Sequence, residues 1–390
     1  MTCPGMTVNN SLSHLIYPLK VAKDQRVICI ATQNISKNTL FINGLYQNII
    51  LIYKLFEILG HIPYFLINEP PTQKNADILL DGNYRCILPE TIIQNPMHID
   101  LYIEIGMSTS LKFNRYLKAS GTRIIKLYLG NALNIDTEMI TIINGVSFPH
   151  HAYNELDEIW TSPHYEQNIE YLCGIYRLPL TRGKIAPYIW DSMFIDELHN
   201  TSWIPPKAWE DTDIVIAEPN ISFQKCAYLP LHLVNAFASK YPMWRGKVYC
   251  INTTRFSSNV HLCASVLPDL TIVTDERVVF CERMPLETIL KTHKSALFIG
   301  HQWNNEYNYM TCELMMKGFP ILHNTSAWSA FGYYWSEGEW INGISLLCNT
   351  LENHEANLSK YKSDAQLLAW NYSMHNPNVQ KEWANLITAN

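Results

Sequence analysis

The sequence has little charge, no long apolar run and no closely paired cysteines, and each absence removes a class of function. Only 16% of its 390 residues are charged and the formal net charge is −6. No basic field is therefore available to attract nucleic acid or an anionic membrane, and neither is expected as a partner. No run of 18 apolar residues occurs, and the greasiest stretch, 49–59, is interrupted by Lys54 and Glu57; no membrane span is expected. The first twenty residues lack a basic region followed by an apolar core, so a cytoplasmic location is expected. Ten cysteines, among them Cys29, Cys86, Cys226 and Cys312, are scattered without a C-x-x-C pair, the pattern of reduced, mostly buried thiols. His150, His151, Asp157 and His164 resemble a metal set on paper, but no His pair at i, i+4 falls on one clear helix, and no metal or other cofactor is expected.

What is present is a chain of comfortable length for two domains. Strand patterns at 26–32, 62–67, 76–80, 99–105, 123–129 and 158–161 alternate with helical stretches, the order of right-handed βαβ units in a parallel sheet. Around 184–210 the pattern breaks into Pro187, Trp190, Trp203, Pro205 and Pro206, which suits a linker along a cleft. The alternation restarts with strands at 213–217, 247–251 and 270–274 and a helix from about Gln224. The tail 364–390 reads as a helix. The expected class is α/β, two doubly wound halves without an internal sequence repeat. Functional groups in such sheets collect beyond the C-terminal strand ends. Glu104, Asn131 and His164 occupy that edge in the first half.

The most informative stretch is 296–324, ALFIGHQWNNEYNYMTCELMMKGFPILHN. It reads as buried strand, polar turn, helix over 305–317, Gly318 stop and second buried strand. Asn304 and Asn305 are candidate caps, so the helix start is expected to turn bare N–H groups and half a positive charge toward a diphosphate. Glu306 and Glu313, seven apart, share a face of that expected helix. His301 follows the strand and is either a sugar or phosphate contact or a structural histidine of the turn. Lys225, after the strand at 213–217, is either a phosphate contact or an exposed first-turn lysine. Glu104 is either a general base or a carboxylate that caps the helix through Ser108 to Ser110.

These segments resemble glycosyltransferases of the two-domain GT-B architecture, two Rossmann-like domains facing each other across a cleft. Glu313 with Gly318-Phe319-Pro320 is similar to the second half of the donor motif in retaining, family 4 type members; eight residues back stands Asn305, and the nearest acid, Glu306, is one later. Lys225 fits the lysine that contacts the donor diphosphate, with Asn220 where an arginine stands in the family. The sets EIWTSPHYEQ, PYIWD, AEPNISFQK and GHQWNNEYNYM are similar to a little-studied bacterial and large-virus group of GT-B-like proteins. The resemblance implies an acceptor domain over 1–185, a linker over 186–210, a donor domain over 211–365 and a terminal helix over 366–390 that crosses back. It implies sugar transfer from a nucleotide-diphosphate sugar to a hydroxyl acceptor such as a glycan, without a metal. In that scheme Glu313 holds the donor ribose, Asn305 or Glu306 contacts the sugar, and Glu104 lies near the acceptor. Lys225, Asn220, His301, Asn304, Asn324 and Thr325 line the donor side, the last two through backbone N–H groups, and Asn43, Gly44, Asn131 and His164 the acceptor side. A nucleotide-sugar epimerase and a non-catalytic sugar- or nucleotide-binding protein are the alternatives.

Overall fold

The computed structural model describes residues 24–33, 35, 40, 44–69, 84–141, 155–198, 201–336 and 338–389; Asn43 and the strand expected at 76–80 lie outside them. The first sheet contains β1 (Val27–Ala31), β2 (Ile62–Leu66), β3 (Cys86–Ile87), β4 (Leu101–Glu104), β5 (Arg123–Tyr128), β6 (Glu158–Thr161) and β7 (Gly183–Ile185). The second contains β8 (Ile214–Ile216), β9 (Val248–Cys250), β10 (Val278–Phe280), β11 (Leu297–Ile299), β12 (Ile321–His323) and β13 (Tyr333–Tyr334). Every pairing is parallel, in the orders β3-β2-β1-β4-β5-β6-β7 and β10-β9-β8-β11-β12-β13. The order reverses between β1 and β4 and again between β8 and β11, and a crevice opens beyond the strand ends at each such switch point.

Strands sandwiched between helices must be apolar on both faces. Ile28 and Ile30 of β1 pack on one side of the first sheet while Val27, Cys29 and Ala31 pack on the other. Val215 and its neighbours Ile214 and Ile216 divide the second sheet in the same way. The covering helices are α1 (Gly44–Ile58), α2 (Pro89–Gln94), α3 (Leu111–Ala119), α4 (Ala132–Thr141) and α5 (Ile169–Tyr176) in the first half. In the second they are α6 (Tyr228–Lys240), α7 (Val260–Ser265), α8 (Thr271–Thr274), α9 (Leu286–Thr292), α10 (Tyr309–Met316), α11 (Trp340–Tyr372) and α12 (Pro377–Thr388). No helix among the described residues is long and apolar enough to cross a membrane.

Four elements differ from expectation. The stretch 270–274 is a helical turn, not a strand, because the Asn235 side chain accepts from the Ile272 N–H at 3.2 Å and the Thr271 hydroxyl at 3.0 Å, capping α8 from α6. The helix expected from Gln224 begins at Tyr228, after a turn held by Asn220. The helix expected at 305 begins at Tyr309, because Asn304 and Tyr307 adopt φ of 44° and 60°, left-handed values that no α-helix contains; Asn308 supplies the cap. The tail is two helices rather than one. Asp364 lies inside α11, which stops at Tyr372, and Asn376 with Pro377 starts α12. Met374, Val379, Trp383 and Ile387 then join the first sheet's core, and Arg123 donates to the carbonyls of Leu386 and Ile387, each at 3.1 Å.

Candidate functional site

The two switch points meet. Glu138 on α4 is buried and accepts from the Ser222 hydroxyl at 2.7 Å and the Phe223 N–H at 2.8 Å, both in the turn after β8. Asn131 Nδ2 donates to the Asn304 carbonyl at 2.7 Å, and Tyr165 donates to Asn305 Oδ1. Gln47 Nε2 on α1 donates to Glu313 Oε1 on α10 at 2.8 Å. A cleft of about 480 Å³ remains, lined by Pro163, His164, Glu166 and Gln167 on one side and Asn304 and Glu306 on the other.

At the donor-side edge the residues following β8 and β11 interlock. Glu218 has no solvent exposure and accepts from the His301 N–H at 2.9 Å and Gln302 Nε2 at 2.9 Å. Burial pushes its carboxyl up to about 7, against the pull of the His301 amide, the Lys225 ammonium and Gln302. Burial lowers the Lys225 ammonium, and Glu218 opposes that. Lys225 also acts across the cleft. Burial, and secondarily Lys225, brings His164 down to about 3, so its imidazole is neutral at physiological pH. The His164 ring lies 3.8 Å from Tyr165 and 4.5 Å from Tyr307, centroid to centroid. Arg255, exposed in the turn after β9, is close enough to Cys226 to favour its thiolate, although burial dominates and raises that thiol. Lys225 and Arg255 thus put two cations on one edge of the second sheet.

Several expected site residues have other roles. Asn220 donates both amide hydrogens, to the carbonyls of Glu218 at 2.7 Å and Ile251 at 2.9 Å, and accepts from the Ala227 N–H at 2.7 Å; it locks a turn and has no donor left for a diphosphate. The start of α10 presents no bare ring of N–H groups, since Asn308 accepts from the N–H groups of Met310 and Thr311 through its side chain and carbonyl. Glu306 precedes that helix, so it shares no face with Glu313; it accepts from the Ser326 hydroxyl at 2.9 Å at the cleft rim. Asn305 is engaged by Tyr165. Glu104 is buried inside the first half, accepting from Asn114 Nδ2 at 3.1 Å and facing the Lys126 ammonium at 3.7 Å. It is a structural carboxylate, not a base at the acceptor.

His301 contributes its backbone N–H, while its buried ring lies near Trp303 and Trp335 and is lowered to about 4 by burial. The Asn324 side chain exchanges two 2.9 Å hydrogen bonds with the Gln302 backbone and so shapes the edge, and the Thr325 N–H is taken by His323 Nδ1 at 3.3 Å, so Thr325 does not offer a free N–H group. Gly44 faces the Tyr309 ring, which leaves no room for a Cβ there. Asn131 is a clasp to the second half. Asp157 accepts from the Ile124 N–H at 2.7 Å and pairs with Lys118, away from His164; His150 and His151 lie outside the described residues. Among the described residues no three metal-ligating side chains gather.

Glu218, Gln302, Glu138, Gln47, Tyr165 and Arg255 escaped sequence reasoning. A Glu directly after a predicted strand, seven residues before a Lys, signals Glu218 in retrospect; nothing local signals Glu138, whose partners lie more than eighty residues away.

A family model described as "Protein of unknown function (DUF2827)" matches residues 28–387. The chain belongs to that family. None of the curated proteins matches it. Among solved structures it is similar to a glycosyltransferase from Rickettsia africae ESF-5, at 12% identity and TM-score 0.53, covering 94% of this chain and 100% of that one. It is also similar to Anabaena Alr3699/HepE in complex with UDP, at 10% identity and TM-score 0.57 with the same coverage. TarM matches at 8% identity and TM-score 0.57, over 93% of this chain and 99% of that one. At such identities the likeness establishes the fold: this DUF2827 member has the two-sheet GT-B fold.

Proposed function

We propose that the protein transfers a sugar from a nucleotide-diphosphate sugar to a hydroxyl acceptor, without a metal, in the cleft between its two sheets. The observation that carries this reading is the apposition of two switch points, with Lys225 and Arg255 on the second and a neutral His164 opposite. A leaving diphosphate needs positive charge close by, and a lysine in a partly dehydrated site supplies it at short range. Glu218, with a carboxyl near 7, is largely protonated on the acid side of neutrality and so does not repel the incoming anion there. Glu313 accepts from the donor ribose, and Asn304 with Glu306 borders the sugar. The Anabaena relative has been crystallised with UDP and with UDP-glucose, which supports a nucleotide-sugar donor here. The fold alone does not specify chemistry.

The test is to incubate the protein with UDP-, GDP-, ADP- and dTDP-sugars and a panel of saccharide acceptors, and to measure released nucleoside diphosphate with and without EDTA. Release from one base class, unchanged by EDTA, is expected. No release from any donor contradicts transferase activity, and release abolished by EDTA contradicts the metal-free mechanism.

A further inference from the structure

A second cavity, of about 390 Å³, lies at the opposite edge of the second sheet. Its floor includes Thr212, Ser295 and Pro320, which precede β8, β11 and β12; its roof is the middle of α11, and its wall is the connection containing Trp203 and Trp209. The run from Thr212 to Glu218 spans at most roughly 20 Å of extended chain between this edge and the cleft. The two cavities have no lining residue in common.

The lining combines features that few ligand classes satisfy together. Trp203 and Thr212 are more than nine-tenths buried, and Trp203 Nε1 and Thr212 Oγ1 have no hydrogen-bond partner. Such groups are costly to leave unpaired, and a ligand or water normally satisfies them. Glu352 and Glu355 stand exposed on α11 beside Glu210, against a single cation, Lys207. Among the described residues these four form no ion pair. The carboxylates require donors, while the indole N–H and Lys207 require acceptors. Trp203, Trp209, Pro206 and Leu351 offer apolar faces. A cation fails the indole and lysine, and an anion fails the three carboxylates. A neutral polyhydroxylated ring donates, accepts and stacks at once, and the volume falls within the range of small-molecule pockets.

We propose that this cavity is a saccharide-binding site distinct from the cleft. It retains a glycan on the far side of the second sheet and does not depend on the reading of the cleft as a transferase site. The ligand class is a neutral mono- or disaccharide unit, held by Glu352 and Glu355 on its hydroxyls with Thr212 beneath.

The experiment is saturation-transfer NMR and titration with glucose, galactose, N-acetylglucosamine and maltose, with spermidine as the cationic control. The variants are Thr212→Val and the double variant Glu352→Gln/Glu355→Gln. The side-chain contact these substitutions touch is a weak one from the Cys348 thiol to Glu352 at 3.7 Å, and melting temperatures check that both variants stay folded. The expected result is binding of at least one saccharide, weakened about fivefold or more in each variant, with melting temperatures of the unliganded variants unchanged. Absence of saccharide binding, binding equal in wild type and variants, or a preference for spermidine overturns the proposal.

Discussion

Gln47 on α1 donates to Glu313 on α10 at 2.8 Å, joining the two halves through a carboxylate that is only 5% exposed. Burial raises Glu313 from 4.5 to about 7, and the Gln47 hydrogen bond only partly offsets that. An acid whose folded value exceeds its unfolded value binds more protons in the folded state between the two. Stability is then retained below pH 4.5 and lost as pH rises through about 7, by about 3 kcal/mol for this group. Glu313→Gln keeps an acceptor for Gln47 and cannot ionise. Its melting temperature should lose part of the wild-type fall between pH 5 and 8; an unaltered pH profile would show that Glu313 does not titrate in this range.

The same logic at Glu218 concerns binding. As its carboxyl ionises above about 7, it neutralises Lys225 and repels a diphosphate. UDP affinity should decline from pH 6 to 8.5, and Glu218→Gln should flatten that decline. A titration series in which the variant retains the full wild-type slope would rule Glu218 out as the cause.

Gly44 permits the approach of Tyr309, and any Cβ at that position overlaps the ring. Gly44→Ala should destabilise by about 1–3 kcal/mol, the usual effect of overpacking. Tyr309→Leu in the same chain should recover part of the loss. If the double variant is no better than the sum of the two, the clash is not what limits the single variant.

Glu104 and Lys126 are both buried. Removing one partner leaves the other charged and unpaired, which costs about 3–5 kcal/mol. Glu104→Ala should therefore lower the unfolding midpoint in urea strongly. Full stability with lost turnover would instead mark Glu104 as a catalytic group.

Glu138 grips the turn after β8 from the other half. Glu138→Ala should leave the Ser222 hydroxyl and Phe223 N–H without their acceptor and raise hydrogen exchange at 222–224 while the strands stay protected. Unchanged exchange there would show that the contact does not hold the turn.

The strands were legible because a sheet covered on both faces demands continuous apolar runs: VICIA, IPYFL, EIWT and IVI stand out unaided. The two-residue strands β3 and β13 carry too little pattern to be seen. TIVT at 271–274 is β-branched and reads as a strand, yet a side chain from 36 residues away caps it as a helix. In 301–308 three asparagines compete as caps, and only the backbone at Asn304 and Tyr307 decides for Asn308. Lys225 was legible as a cation following a strand. Asn220 was not legible as a structural group, because its partners are backbone carbonyls; Glu104 was legible as a carboxylate beside residues 108–110, where the Thr109 N–H donates to it at 3.4 Å, but its pairing with Lys126 was not. Contacts between the halves, such as Glu138 to Phe223 and Tyr165 to Asn305, depend on how two separately patterned sheets dock, and no local spacing records that.

Calorimetric titration of wild type and Lys225→Ala with UDP tests the central claim most directly. Saturable binding at one site per chain, weakened about tenfold or more in the variant by loss of a charge-assisted contact, is the predicted result. No heat of binding to wild type, or indistinguishable affinities in the two proteins, would contradict a diphosphate site beside Lys225.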